Sequence, residues 1–334
     1  MQKLLAISVG NSRTVVGHFQ ASTLQGHDHL DNADLKAVVQ GIERHWKSLD
    51  DTDAMVVLAS VNGEVADKLL PEIEAATGAE VHRIRRDLPI PIGTCVDDDS
   101  TVGEDRLLAA AAAWDALKQA VVVIDAGTAI TLNFIDGEGT FHGGAIAPGA
   151  TMQLKAMHEH TALLPRVAFA QPDGKDPFGR NTAEAMLLGV YEGIRGMVRR
   201  LVERYAEHYG AFPMVVATGG DAEILFRGDE LVDRIVPELV LHGMAVAARH
   251  ASEGVDDEAA ADVLERTKEM IARQNASVLV RIATRGLLNN VDLTQDGKIV
   301  KAHVTASREQ LEGILQALAA QLGVQLPAPG GGAP

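Results

Sequence analysis

Two stretches of this chain, 117 residues apart, repeat one pattern, and that repeat constrains the fold more than any other feature. Ile7-Ser8-Val9-Gly10 aligns with Ile124-Asp125-Ala126-Gly127, and Thr14 falls on Thr131 at the same offset. In both, an apolar run enters a glycine corner and a second apolar run leaves it. This is the signature of a β-hairpin. Both hairpins are followed by alternating segments of strand and helix character. The expectation is a duplicated α/β unit whose two copies face each other across a cleft, each contributing one glycine corner.

The remaining periodicities fill in the copies. Residues 3–9 and 13–19 read as strands around Gly10-Asn11-Ser12. Residues 34–48 read as a helix, 54–61 as a buried strand, 64–78 as a helix closed by Gly78, 80–84 as a short strand and 105–119 as a helix. The second copy offers strands at 120–127 and 128–136, a glycine-rich stretch at 139–149 and a long helix at 182–210. A buried strand at 213–220 and helices at 221–228 and 238–250 complete it. Gly189, Gly193 and Gly196 lie near one face of the long helix, where small residues allow close helix packing. The expected division is a first domain at 1–117, a second at 118–250 and an acidic linker at 251–262. A small α/β appendage follows at 263–326, with a helix at 263–274, a strand at 277–283, a hairpin around Gln295-Asp296-Gly297 and a helix at 308–323. The tail 327–334 is rich in Gly and Pro, a composition that does not build a core.

Composition narrows the partners. The 334 residues carry a formal net charge of −16, so phosphate backbones and anionic lipid surfaces are repelled. We therefore expect neither a nucleic-acid nor a membrane partner. Cys95 is the only cysteine, which excludes an intrachain disulfide and suits a reducing compartment. The N-terminus reads as a strand rather than a secretion signal, and no run approaches the ~18 apolar residues of a membrane span. The expected location is the cytoplasm.

Three strands run into glycine: Gly10-Asn11-Ser12, Gly127-Thr128 and Gly219-Gly220. Glycine lets the backbone approach a ligand, and successive N–H groups aimed at one point bind anions. The hydroxyls of Ser12 and Thr128 add donors. Together the corners suggest a nucleotide cleft, although neither a Walker sequence nor G-x-G-x-x-G is present. Asp125 ends a buried strand, where a carboxylate calls for a cation or donors. Asp105 opens a helix after Gly103-Glu104; an N-cap and a general base are equally compatible with that position, as Arg106 is with anion binding. His158 and His160 have the spacing of one strand face, but their apolar surroundings argue against a metal site. His27 and His29 fall in what reads as a polar loop.

The set DAGTAITLNF, GGAIAPG, GEDR, RNTAEAMLLG, ATGGDAEIL and PELVLHGM, in this order, resembles the type III pantothenate kinases over residues 3–250. That resemblance implies two ribonuclease-H-like, actin-like ATPase domains flanking a nucleotide cleft. It implies ATP-dependent phosphorylation of pantothenate, the first step towards coenzyme A, with Mg2+ and a monovalent cation (K+ or NH4+). It implies a homodimer whose pantothenate pocket is completed across the interface. Carried over residue by residue, Asp105 is the base, and Gly103, Arg106 and Thr182 hold pantothenate. Asp125 holds the monovalent cation. Gly10, Asn11, Ser12, Gly127 and Thr128 cradle phosphates, and Gly219 and Gly220 lie beside adenosine.

Two departures stand against the resemblance. Ser8 occupies the place of an aspartate that helps position magnesium. The tyrosine that the family places before GEDR is missing, and Asp97-Asp98-Asp99 stands there instead, either a solvated loop or a displaced source of carboxylate. The readings are therefore an active kinase that compensates for Ser8, a ligand-binding or regulatory relative with weak or no activity, or a kinase of the same fold for another small hydroxyl substrate.

Overall fold

The structure is a computed structural model that describes residues 3–50, 54–173, 177–253, 291–296 and 299–304. The chain divides into two compact units, Met1–Ser252 and Glu253–Pro334.

The first unit begins with β1 (Leu4–Val9), β2 (Arg13–Gln20) and β3 (Thr23–Asp31). Then come α1 (Leu35–Leu49), β4 (Met55–Ser60), α2 (Gly63–Thr77) and β5 (Val81–Arg83). The strands form one sheet of order β3-β2-β1-β4-β5. The helix ends follow capping chemistry: Asp34 and Asn62 accept backbone N–H bonds at the starts of α1 and α2, and Gly78 closes α2 in left-handed conformation.

The chain continues through β6 (Gly93–Thr94), a single 3-10 turn at Asp99–Thr101, and α3 (Glu104–Leu117). It then builds β7 (Val121–Ala126), β8 (Ala129–Ile135), β9 (Thr140–Pro148), α4 (Ala150–Glu159) and α5 (Thr182–Tyr209). It closes with β10 (Met214–Thr218), α6 (Ala222–Phe226), β11 (Arg234–Ile235) and α7 (Leu239–Glu253). The second sheet runs β11-β10-β7-β8-β9-β6. Apart from β6 on its edge, it repeats the order of the first: a three-stranded antiparallel meander, then two parallel strands on the other side. The expected duplication is present at the level of topology.

Register refines the duplication. Ser8 pairs with Val15 in the first hairpin, whereas Asp125 pairs with Thr131 in the second. Thr131 is therefore the counterpart of Val15, not of Thr14, and the constant offset ends at the corner. The second corner is one residue shorter: Gly10 N–H donates to the Arg13 carbonyl, and Gly127 N–H to the Ala129 carbonyl. The shift matters because a one-residue slip exchanges the faces of a strand. Thr14 and Ile130 are both fully buried, as the corrected pairing requires.

Among the described residues the buried apolar side chains form four clusters in layers. α1 and α2 cover one face of the first sheet around Ile42, Leu69 and Ile73. α5 and α6 cover one face of the second around Ile194 and Leu225. Between the sheets lie α3 and α7. Leu108 of α3 and Leu241 and Met244 of α7 meet Leu4, Ala6 and Phe19. Leu107 and the alanines of α3 meet Val121, Val123 and Val216. Ile7 and Ile124 are fully buried, each contributing about 1.5–3 kcal/mol of transfer free energy. The run Ala109–Ala113 makes α3 thin, and Gly243 lets α7 approach it backbone to backbone: a Cβ there would stand 2.1 Å from the Leu108 carbonyl oxygen.

Four sequence expectations change. Residues 23–31 are an edge strand, so His27 and His29 are not in a loop. His158 lies in the last turn of α4 and contacts the Leu164 carbonyl through Nδ1 at 2.8 Å, so it belongs to a helix and not to a strand face. Gly189, Gly193 and Gly196 mark no close packing among the described residues of this chain, since a Cβ at each meets nothing within 4 Å. The glycine-rich stretch 139–149 is β9. In the second unit the expected hairpin is present as β12 (Val291–Asp296) and β13 (Ile299–Val304), paired antiparallel. The helices expected at 263–274 and 308–323 and the strand at 277–283 lie outside the described residues.

Candidate active site

Both glycine corners open on one cleft of about 660 Å3. It is lined by Ser8, Gly10, Asn11, Ser12, Asp105, Asp125, Gly127, Thr128, Gly219 and Gly220, among others. The corners face each other closely, with Ser12 Oγ 3.4 Å from Thr128 Oγ1. The first corner is held from behind by Asn32. Its backbone N–H donates to the Ser12 carbonyl, its side-chain amide donates to the Gly10 carbonyl at 2.8 Å, and its Oδ1 accepts from Thr14 Oγ1 at 2.7 Å. The second corner is held by Gly149, whose N–H donates to the Thr128 carbonyl at 3.0 Å. A Cβ on Gly149 would press within 2.3 Å of the Gly127 carbonyl oxygen. Gly149 is also the N-cap of α4, so the start of that helix brings Thr151 and Lys155 to the cleft wall. N–H groups at a helix start favour an anion.

The third corner joins them because Gly219 adopts φ +93°. A Cβ at this position would stand 2.4 Å from Asp125 Oδ1. Glycine is required on both counts. Asp125 therefore sits where the second and third corners meet. Its carboxyl is pushed up to about 7, first by burial and then by the negative charges of Asp105 and Glu238. Among the described residues no cation offsets them. A cation bound beside such a carboxyl would stabilise its charged form.

Asp105 is not the N-cap of α3. That position is Gly103, which makes no side-chain bond, and Asp105 is the second residue of the helix. Its Oδ1 folds back to accept the Arg106 N–H at 2.8 Å, a turn possible because residue 103 has no Cβ, which would lie 2.5 Å from that oxygen. Burial raises the Asp105 carboxyl, and the Arg106 N–H and charge oppose the rise. Glu104 points elsewhere: its Oε2 accepts the Ser60 N–H at 2.9 Å and ties α3 to the end of β4.

Three expected pantothenate residues are not in the cleft lining. Arg106 donates through Nε to Asn133 Oδ1 at 2.7 Å and lies over the Phe141 ring. Gly103 lies beside the cleft through Asp105, and Thr182 is exposed at the start of α5. The acidic run is a solvated turn. Asp97, Asp98 and Asp99 are exposed, Asp98 accepts from Ser100 N and Oγ, and none of them lines the cleft.

The structure adds residues that the sequence reading passed over. Arg13 reaches the third corner, with a guanidinium nitrogen 4.0 Å from a Cβ built on Gly220, and its charge acts on Asp221. Asp31, Asp221, Glu238, Thr151 and Lys155 line the cleft as well. The signal for Thr151 and Lys155 was present in GGAIAPGAT, where a glycine ends a strand and caps a helix. Nothing local marks Asp31 or Glu238, which long-range packing brings in.

Two like-ordered sheets, helices packed between them and glycine corners converging on one cleft define a duplicated α/β protein with a nucleotide-type cleft. A model of the type III pantothenate kinase family matches residues 4–204. A type III pantothenate kinase of Rhodospirillum rubrum is 32% identical over 253 residues, covering 74% of this chain and 98% of that protein. One from Paramagnetospirillum magneticum is 32% identical over 262 residues, covering 75% and 99%. Among solved structures, a Baf family protein from Campylobacter jejuni has a TM-score of 0.51 at 19% identity, over 75% of this chain and all of the other, which speaks for the fold alone. The chain belongs to the type III pantothenate kinase family.

Proposed function

We propose that this protein phosphorylates pantothenate with ATP, the first step towards coenzyme A, and does so in the cytoplasm. The observation that carries the reading is the meeting of the Ser12 and Thr128 corners over a cleft that also holds Asp105. ATP phosphates would lie between Gly10-Asn11-Ser12 and Gly127-Thr128, with the adenosine towards Gly219-Gly220. Asp105 would take the proton of the pantothenate hydroxyl. The freed oxygen would form a bond to the γ-phosphorus as the bond to the β-phosphate oxygen breaks, releasing ADP. Burial supports this role because it brings the carboxyl closer to the working pH. Gly103, Arg106 and Thr182 would hold pantothenate, with Thr182 reaching it in a homodimer. The open surface of Gly189, Gly193 and Gly196 favours such a dimer. Glycine costs a helix about 1 kcal/mol per residue relative to alanine, and three on one exposed face invite a closely packed partner helix.

The donor set suits a monovalent cation at Asp125. It suits the divalent ion that accompanies ATP less well, because β1 carries towards the cleft Ser8, whose neutral hydroxyl is a poor magnesium ligand. This observation favours a second reading, a relative that binds nucleotide or pantothenate with weak turnover and serves as a ligand-binding or regulatory module. A coupled ADP-release assay with pantothenate, Mg2+ and K+ separates the two. Turnover of ~1 s⁻¹ or more supports the kinase. Nucleotide binding without turnover supports the alternative.

A further inference from the structure

We propose a transition-metal site formed by His27, His29 and Glu238 on the rim of the cleft. His27 and His29 are two residues apart on β3, so alternation puts both rings on one face of the strand. Asp28 between them points the other way, to Arg44 and His45 of α1. On the histidine face stands Glu238, immediately before α7. Its Oε1 is 2.7 Å from His29 Nε2 and 3.7 Å from His27 Nε2. One donor atom from each of the three side chains lies within 4.8 Å of the others. Ligands around one zinc-sized ion at 2.0–2.2 Å are roughly 3–3.5 Å apart, so small rotations of the rings complete the geometry.

Two further observations favour a ligand over a chance surface cluster. Glu238 has φ +57°, a left-handed conformation that is costly for a side chain with a Cβ and is concentrated at functional sites. The Glu238 side chain is only 12% exposed, while the histidines are 38% and 41% exposed. An inward carboxylate with two outward imidazoles leaves open positions for water or for a group in the cleft, which His29 and Glu238 both line. Two imidazoles and one carboxylate select Zn2+, Co2+, Ni2+ or Fe2+. They do not suit Mg2+, which prefers oxygen ligands. This ion is therefore distinct from the divalent ion of the nucleotide. It would clip the edge strand β3 to the start of α7.

The test is titration of the untagged, full-length protein with Zn2+ followed by calorimetry, and with Co2+ followed by visible absorption. One equivalent per chain is expected, with Co2+ giving the d–d bands of a site of low coordination number. A millimolar excess of Mg2+ should not displace it. His27→Asn, His29→Asn and Glu238→Gln should each weaken binding by about tenfold or more, with the far-ultraviolet circular dichroism of each variant unchanged. Stoichiometric binding that survives in the His27→Asn/His29→Asn double variant would overturn the proposal, as would displacement by Mg2+ or no binding by the wild type. Should a variant unfold, Co2+ titration of wild type modified with diethylpyrocarbonate in the presence and absence of Zn2+ gives the same answer. Zn2+ must protect His27 and His29 from modification, and equal modification under both conditions refutes the site.

Discussion

At position 8 the two like hairpins differ by one side chain, a serine in the first and an acid in the second. Ser8 lies on β1 opposite Ala59 and lines the cleft where the twin strand carries Asp125. Restoring a carboxylate with Ser8→Asp is expected to raise kcat by about 10²-fold and to lower the Mg2+ concentration for half-maximal rate. Removing one group that acts on transition-state charge costs a comparable factor. Steady-state kinetics over a magnesium series checks this; an unchanged or lower rate would show that the cleft has another way to place the ion. Gly219 offers a sharper structural prediction. Gly219→Ala places a Cβ 2.4 Å from Asp125 Oδ1 on a backbone at φ +93°. It should destabilise the protein by more than about 1 kcal/mol and abolish nucleotide binding, measured by denaturation and by calorimetry with ATP. Asp125, Asp105 and all three glycine corners were legible in the sequence because each ends an apolar strand or opens a helix. The residues that were not legible, Arg13, Asp31, Asp221 and Glu238, belong to no local pattern that marks them. Only the closure of the chain gives them a place.

The elements show the same division between local and distant causes. Buried strands such as β1, β4, β7 and β10 are continuous apolar runs, so their existence is written locally. β3 was missed for a physical reason. Its sequence TLQGHDHLD alternates exposed and half-buried positions without one fully buried residue, so no face carries the apolar signal. It is a strand because β2 supplies its ladder. α4 was missed because its ten residues bury only Ala150 and Leu154. The α5 glycines have the spacing of a close helix contact, but among the described residues nothing packs against them. The contact that does depend on glycine is between α3 and α7. Gly243→Val should lower the denaturation midpoint by an amount equivalent to about 1–3 kcal/mol, because the added side chain meets the Leu108 backbone, which cannot rotate away. Gly193→Ala, on the open face, should instead stabilise an isolated subunit by up to about 1 kcal/mol. Gly193→Trp should shift the light-scattering mass from dimer towards monomer. A wild-type monomer at micromolar concentration would count against the shared pocket.

On the scale of the whole molecule, the sheets bring several carboxylates to one cleft, and their shared field should be visible in stability. Burial raises the carboxyls of Asp105 and Asp221, and Asp125 is pushed up to about 7 from an ordinary value of 3.8. A raised acid holds its proton more tightly in the folded chain than in the unfolded one, so stability falls as pH rises between the two values. Well below the ordinary value of 3.8 both states are protonated and the cost is absent. Above pH 7 it is complete, on the order of 4 kcal/mol for Asp125, divided among coupled neighbours. A cation bound at Asp125 should remove much of this cost. Without potassium, the melting temperature should therefore fall from pH 5 to pH 8. Potassium should raise it at pH 8 and leave it nearly unchanged at pH 5, where protons already do the neutralising. Asp125→Asn should flatten most of the pH dependence and remove the potassium effect together, because one carboxylate causes both. If the variant keeps the wild-type slope, the cost lies with the other acids; if it keeps the potassium response, the cation sits elsewhere. Thermal melts at the two pH values, with tetramethylammonium replacing potassium at equal ionic strength, distinguish specific binding from screening, since the two ions screen alike and differ in size.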